Sequence, residues 1–158
     1  MNTQKRLSIT DFLSAVPSEH SDFMSQAHEC MNTGGYKTKF EIKKKRGFTV
    51  QYLSPKTRGL VLQFFISENV LYMYLYNLFL HEFNGFLESL PSVVINGFAE
   101  YRDCTNACNP VCTDKTPRLK FSINGTYFIK CPSGQLLFTV DDETKGVLSV
   151  MQNAVSEA

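Results

Sequence analysis

The chain has 158 residues, of which 43% are hydrophobic, 20% charged and 13% aromatic, a balance typical of globular proteins and unlike that of disordered or collagen-like chains. A formal net charge of +1 excludes a whole-molecule electrostatic drive towards nucleic acid or anionic lipid. At this length folding buries roughly two-thirds of the unfolded surface, so a single domain over 1–158 is expected, with a core that needs no cross-link.

Lys5 and Arg6 are followed by Ser8, Thr10 and Asp11 rather than by an apolar stretch, so no secretory signal is read at the N-terminus. The most hydrophobic run, Val70 to Leu80, is broken by Asn77 and three tyrosines and is too short to span a bilayer as a helix. A cytoplasmic protein with no membrane partner is expected. Thiols stay reduced there, and five cysteines, an odd number, disfavour a fully paired disulfide framework.

Ser8 and Asp11 form a helix-capping pair, and Ile9, Phe12, Leu13 and Val16 recur at the spacing of an amphipathic helix that Pro17 stops. A second helix, capped by Ser18, places Phe23, Ala27, Cys30 and Met31 on one face and ends at Gly34-Gly35. Cys30 therefore belongs to a core stripe. From Tyr36 the period changes to two, with Phe40 and Ile42 on one side and Lys37, Lys39, Glu41 and Lys43 on the other. Phe48 to Leu53, Leu60 to Ile66 and Val70 to Tyr76 continue as strands joined by short loops, which predicts a four-stranded antiparallel meander. Both alternating sets of the last two strands are largely apolar or aromatic, so cover on both faces is expected, part of it helical.

Leu80, Phe83, Leu87 and Leu90 return to helical spacing, and after Pro91 so do Val94, Ile95 and Phe98. Beyond a cysteine-rich loop, Leu119 to Ile123 and Thr126 to Lys130 flank Asn124-Gly125, a strong hairpin signal. Gln135 to Val140 is a candidate third strand beside that hairpin. Asp141 is placed to cap a terminal helix with Val147, Leu148, Met151 and Val155 on its apolar stripe. The fold class is α+β: two N-terminal helices, the meander, a helical connection, then the cysteine-rich loop with its hairpin and a C-terminal helix.

Cys104, Cys108, Cys112 and Cys131 are the candidate metal ligands. Thiolates separated by two to four residues turn back onto one zinc ion without straining the backbone, and Asn109-Pro110 favours a turn between the second and third. With Asn124-Gly125 as a two-residue turn, Ile123 pairs with Thr126, and counting outward brings Arg118 opposite Cys131. Six residues link Cys112 to Arg118, a reach of about 20 Å when extended, so closure of the 104–131 sub-module onto a common ion is geometrically easy. Four thiolates without a neighbouring histidine suit a closed structural zinc site. An iron–sulfur cluster is the lesser metal option, and unligated thiols or a regulatory disulfide are the alternatives without metal.

Cys108-Asn109-Pro110-Val111-Cys112, the following strand pair, Lys130-Cys131 and the acidic-capped terminal helix resemble a group of small uncharacterised bacterial proteins. The likeness runs from about Phe40 to the C-terminus. It implies no particular activity.

Lys43-Lys44-Lys45-Arg46, with Lys37 and Lys39, has the charge to meet phosphates, and Tyr72, Tyr74 and Tyr76 have the rings to stack bases. A charged hairpin that keeps a sheet soluble and a tyrosine shoulder on a core explain them more simply, so nucleic acid is disfavoured as a partner. A shared face for the two sets would strengthen it. His20 and His28 are read as solvated or helix-packed residues, and no acid, base and nucleophile gather in the sequence, which points away from an enzyme. The reading is a non-catalytic binding or regulatory module for a protein or small molecule, with a structural four-cysteine zinc. Its alternatives are a thiol-based redox-responsive protein and a ligand-binding protein or enzyme using a pocket between sheet and helices.

Overall fold

Ser8 opens the first helix through a reciprocal cap. In the computed structural model, which describes residues 6–101, 118–131 and 134–157, its hydroxyl accepts from the Asp11 amide while the Asp11 carboxylate accepts from the Ser8 amide, and α1 (Ile9–Ala15) follows. A 3₁₀ turn at Ser18–His20 precedes α2 (Ser21–Thr33). The sequence placed the cap of α2 at Ser18; instead the Pro17 carbonyl accepts from the His20 amide at 2.9 Å, which tightens that turn before α-helical bonding begins.

β1 (Lys37–Lys43), β2 (Gly47–Leu53), β3 (Leu60–Ser67) and β4 (Val70–Tyr76) form the expected antiparallel meander. Glu68 and Asn69, both left-handed at φ 50° and 62°, make the two-residue turn between β3 and β4, the geometry that matches strand twist. The helical connection is α3 (Asn77–Glu82), a 3₁₀ turn at Leu87–Ser89, and α4 (Ser92–Glu100). The hairpin is β5 (Leu119–Ile123) and β6 (Thr126–Lys130), turned by Asn124 and Gly125 at φ 49° and 81°.

β7 (Gln135–Thr139) departs from the sequence expectation. It does not extend the β5–β6 hairpin but pairs antiparallel with β4, giving a five-stranded sheet of order β1-β2-β3-β4-β7 and a separate two-stranded one. The edge of β4 is apolar on one side, and there β7 sets Leu136 against Leu75 and Phe138 against Met73, cross-strand apolar pairs that stabilise the ladder. α5 (Val147–Ser156) then packs on α2. Asp141 does not cap α5; its carboxylate accepts from the Thr144 amide at 2.8 Å, at the start of the 3₁₀ turn Thr144–Gly146 that precedes the helix.

The registers sort the five strands into two faces. Val50, Tyr52, Leu62, Phe64, Met73 and Leu75 lie on one and are fully buried. Phe12 of α1 meets Phe48, Phe23 of α2 meets Phe64 edge-on at 5.8 Å, and α4 approaches Leu136 and Phe138 at Gly97. Ile42, expected on the buried side, shares that face by register yet is 69% exposed, because it lies at the turn end of an edge strand. No helix among the described residues is long and apolar enough to cross a membrane.

Phe64 lies at the centre of the buried face and Ile42 at its margin. Phe64→Ala should cost about 3–5 kcal/mol in urea unfolding, whereas Ile42→Ala should stay within about 0.5 kcal/mol.

Candidate functional site

The hairpin carries the one candidate ligand among the described residues. Phe121 and Phe128 stack across it with centroids 5.6 Å apart, and with Ile123 they enter the common core. Its last pair is Leu119 with Lys130, so Arg118 and Cys131 leave side by side, as the count from the Asn-Gly turn expects. Cys131 is half-buried. Its carbonyl accepts from Asn77 Nδ2 at 2.7 Å and from the Gly134 amide at 3.1 Å, and the Gly134 carbonyl accepts from the Asn77 amide at 2.8 Å. The first residue of α3 thus bonds to both Cys131 and Gly134. A Cβ at Gly134 would stand 2.2 Å from Asn77 Nδ2, so only glycine fits without displacing that side chain.

Lys130 is fully buried. Its ammonium donates to the Tyr101 carbonyl and lies 5.6 and 5.5 Å from the centres of the Tyr101 and Phe128 rings. Tyr101 precedes the cysteine segment and Arg118 follows it, so both ends of that segment are held beside Lys130 and Cys131. Cys104, Cys108 and Cys112 lie outside the described residues. Among the described residues no three His, Cys, Asp or Glu side chains gather closely enough to hold a metal ion. The sequence reading passed over Asn77 and Lys130, although each left a signal: Asn77 interrupts the most apolar run of the chain, and alternation in β6 puts Lys130 on the same side as Phe128.

A second feature is an open groove of about 1000 Å³ between α2, β1 and the segment leading into α1. His28 lies 2.8 Å by Nδ1 from the Tyr52 hydroxyl and 3.2 Å by Nε2 from Asn32 Nδ2. A neutral ring satisfies both contacts, with Nδ1–H donating to Tyr52 and Nε2 accepting from Asn32. Burial lowers the His28 pKa and raises that of Tyr52. Thr38 Oγ1 is buried there with no partner among the described residues, and Arg6, Lys37 and Lys39 also line the groove. His28 is therefore a sheet-packed residue in a polar recess. Cys30 is half-buried, and burial followed by the Glu29 charge raises its thiol pKa, which makes it a poor nucleophile.

His28 should make stability depend on pH. Its folded pKa lies below the ordinary value of about 6.5, so as pH falls the unfolded chain binds this proton first. The contribution of the neutral ring is complete above about pH 6.5 and is lost as pH drops towards the folded pKa. His28→Gln should flatten the fall in the urea midpoint between about pH 7.5 and pH 5, and an unchanged slope would remove His28 as its source.

Comparisons with protein-family models, with curated proteins and with solved structures returned no significant match.

Proposed function

We propose that this protein is a non-catalytic binding or regulatory module of the bacterial cytoplasm in which Cys104, Cys108, Cys112 and Cys131 hold one structural zinc ion. The observation that supports it best is the junction at Lys130. Because its ammonium donates to the Tyr101 carbonyl and its strand pairs with Leu119, the segment containing the first three cysteines starts and ends beside Cys131. Cys104 is three residues beyond Tyr101, at most about 11 Å of extended chain. Charge agrees with this placement, since a four-thiolate zinc centre carries two net negative charges and a buried ammonium at its entrance offsets part of them. The zinc would close the ends of the sixteen-residue connection 102–117, and a reducing compartment would keep its thiolates available.

The groove at His28 favours a second reading, a protein that binds a small polar ligand. His28, Asn32 and Thr38 converge there from α2 and β1, and Arg6, Lys37 and Lys39 add positive charge. An anionic group would meet the lysines and could accept from the Thr38 hydroxyl, which has no partner among the described residues.

Metal content tests the zinc reading. Protein purified without chelator should contain about one zinc per chain, and Cys131→Ser should lose it while the five-stranded sheet still folds. Metal-free, fully folded protein with every thiol open to titration would overturn the zinc site, and a reversible loss of two thiols on mild oxidation would establish the redox alternative. Visible absorption from bound iron would identify a cluster instead.

A further inference from the structure

The sheet face away from α1, α2 and α4 brings together two sets of residues that lie far apart in sequence. Lys39 pairs with Gln51, Gln51 with Gln63, Gln63 with Tyr74 and Tyr74 with Leu137, which puts all five in one row on one face. The adjacent row runs Glu41, Thr49, Phe65, Tyr72, Thr139. The lysines of β1 and the tyrosines of β4 therefore share a face, three strand spacings or about 14 Å apart.

This face is cationic and aromatic. Lys37, Lys39 and Lys43 project from β1, and Arg46 of the β1–β2 turn places its guanidinium 5.0 Å over the Tyr74 ring. Glu41, paired with Lys39 at 2.6 Å and Lys43 at 3.4 Å, is the acidic residue among them. Tyr72 stacks on Phe65 with centroids 4.9 Å apart and an interplanar angle of 14°. Tyr72 and Tyr74 remain half-exposed and Leu137 is 50% exposed. Beneath them Gln51 Nε2 donates to Gln63 Oε1 at 2.9 Å, while Gln63 Nε2, wholly buried, has no partner among the described residues.

We infer that this face binds single-stranded nucleic acid. The phosphates of an extended strand would follow the lysine edge, and its bases would stack on Tyr72 and on the Arg46–Tyr74 pair. Both a tyrosine ring and a guanidinium plane accept a base on their open side. The small net charge of the whole chain does not oppose this, because phosphate contacts depend on local cations within a Debye length of about 8–10 Å. An acidic peptide would meet the lysines but would leave the ring ladder without planar partners. A duplex would bury its bases away from the rings. The inference is independent of the cysteine site, and measuring zinc content on the same samples lets either reading fail alone.

The test is fluorescence anisotropy of the full chain with fluorescein-labelled twelve-nucleotide oligo(U) and oligo(dT). Contact with two to three phosphates predicts binding about 7- to 18-fold weaker at 200 mM than at 50 mM salt. Tyr72→Leu should weaken it at least about 5-fold with an unchanged salt slope, as loss of one stacked base requires, and Tyr72→Phe should restore it. Lys39→Ala with Lys43→Ala should flatten the slope. Leu137→Glu, at an exposed rim position, should weaken binding without touching the core, and it serves if Tyr72→Leu does not fold. No binding at 50 mM salt, equal affinity for a duplex, displacement by polyglutamate at equal charge, or indifference to both Tyr72→Leu and Leu137→Glu would each overturn the inference.

Discussion

The pairing of β7 with β4 is the constraint on which the rest of this structure depends. It joins Gln135–Thr139 to a strand that ends at Tyr76, and it is bracketed by two backbone bonds. The Val140 amide donates to the Leu71 carbonyl at 3.0 Å and the Asn77 amide to the Gly134 carbonyl at 2.8 Å. The chain between β4 and β7 leaves and returns at the Asn77–Gly134 end. α4 can then lie against β7 at Gly97, where Leu136 and Phe138 occupy the space beside a missing side chain. Without the pairing, β4 would be an open edge carrying Met73 and Leu75, the kind of apolar edge that recruits other chains.

That closure also divides the chemistry. One sheet face lies beneath α1, α2 and α4 and is apolar, with His28 and Tyr52 marking where its cover gives way to a polar groove. The other carries lysines, glutamines and stacked rings, a composition too polar for a core and too aromatic for a surface that serves solubility alone. The hairpin stands at neither face by accident. Asn77 holds Cys131 just beyond it, and buried Lys130 fastens its last strand to Tyr101. Cys131 and its Asn77 clasp lie apart from the polar groove and from the aromatic face, and the last two meet along β1, where Lys37 and Lys39 line the groove and share a face with Tyr74.

Much of this was legible in the sequence where a local rule acts alone. The capping pair Ser8 and Asp11, the Asn124-Gly125 turn and the alternation of β2 to β4 each fix geometry within a few residues, and the strand limits Val70–Tyr76, Leu119–Ile123 and Thr126–Lys130 agree with the observed ones. What local rules do not carry is the choice of partner. Gln135 to Val140 reads as a strand, but its proximity in sequence to β6 suggested the wrong neighbour, because the gain from meeting Met73 and Leu75 is set by tertiary packing. The exposure of Ile42 has the same origin, as alternation assigns a face but not where the helical cover ends. In the candidate site, the count outward from Asn124-Gly125 to Cys131 was accessible, whereas the gripping of that residue by Asn77 was not. It spans 54 residues and involves a side chain whose sequence signal was only an interruption in an apolar run.

Hydrogen exchange at the ends of the β4–β7 ladder tests the central claim most directly. If this pairing closes the sheet, the amides of Asn77 and Val140 exchange as slowly as those at the centre of β3, through the same global opening. Rapid exchange at those two amides, with β1 to β4 still protected, would mean that β7 is a loosely attached segment and would contradict the account.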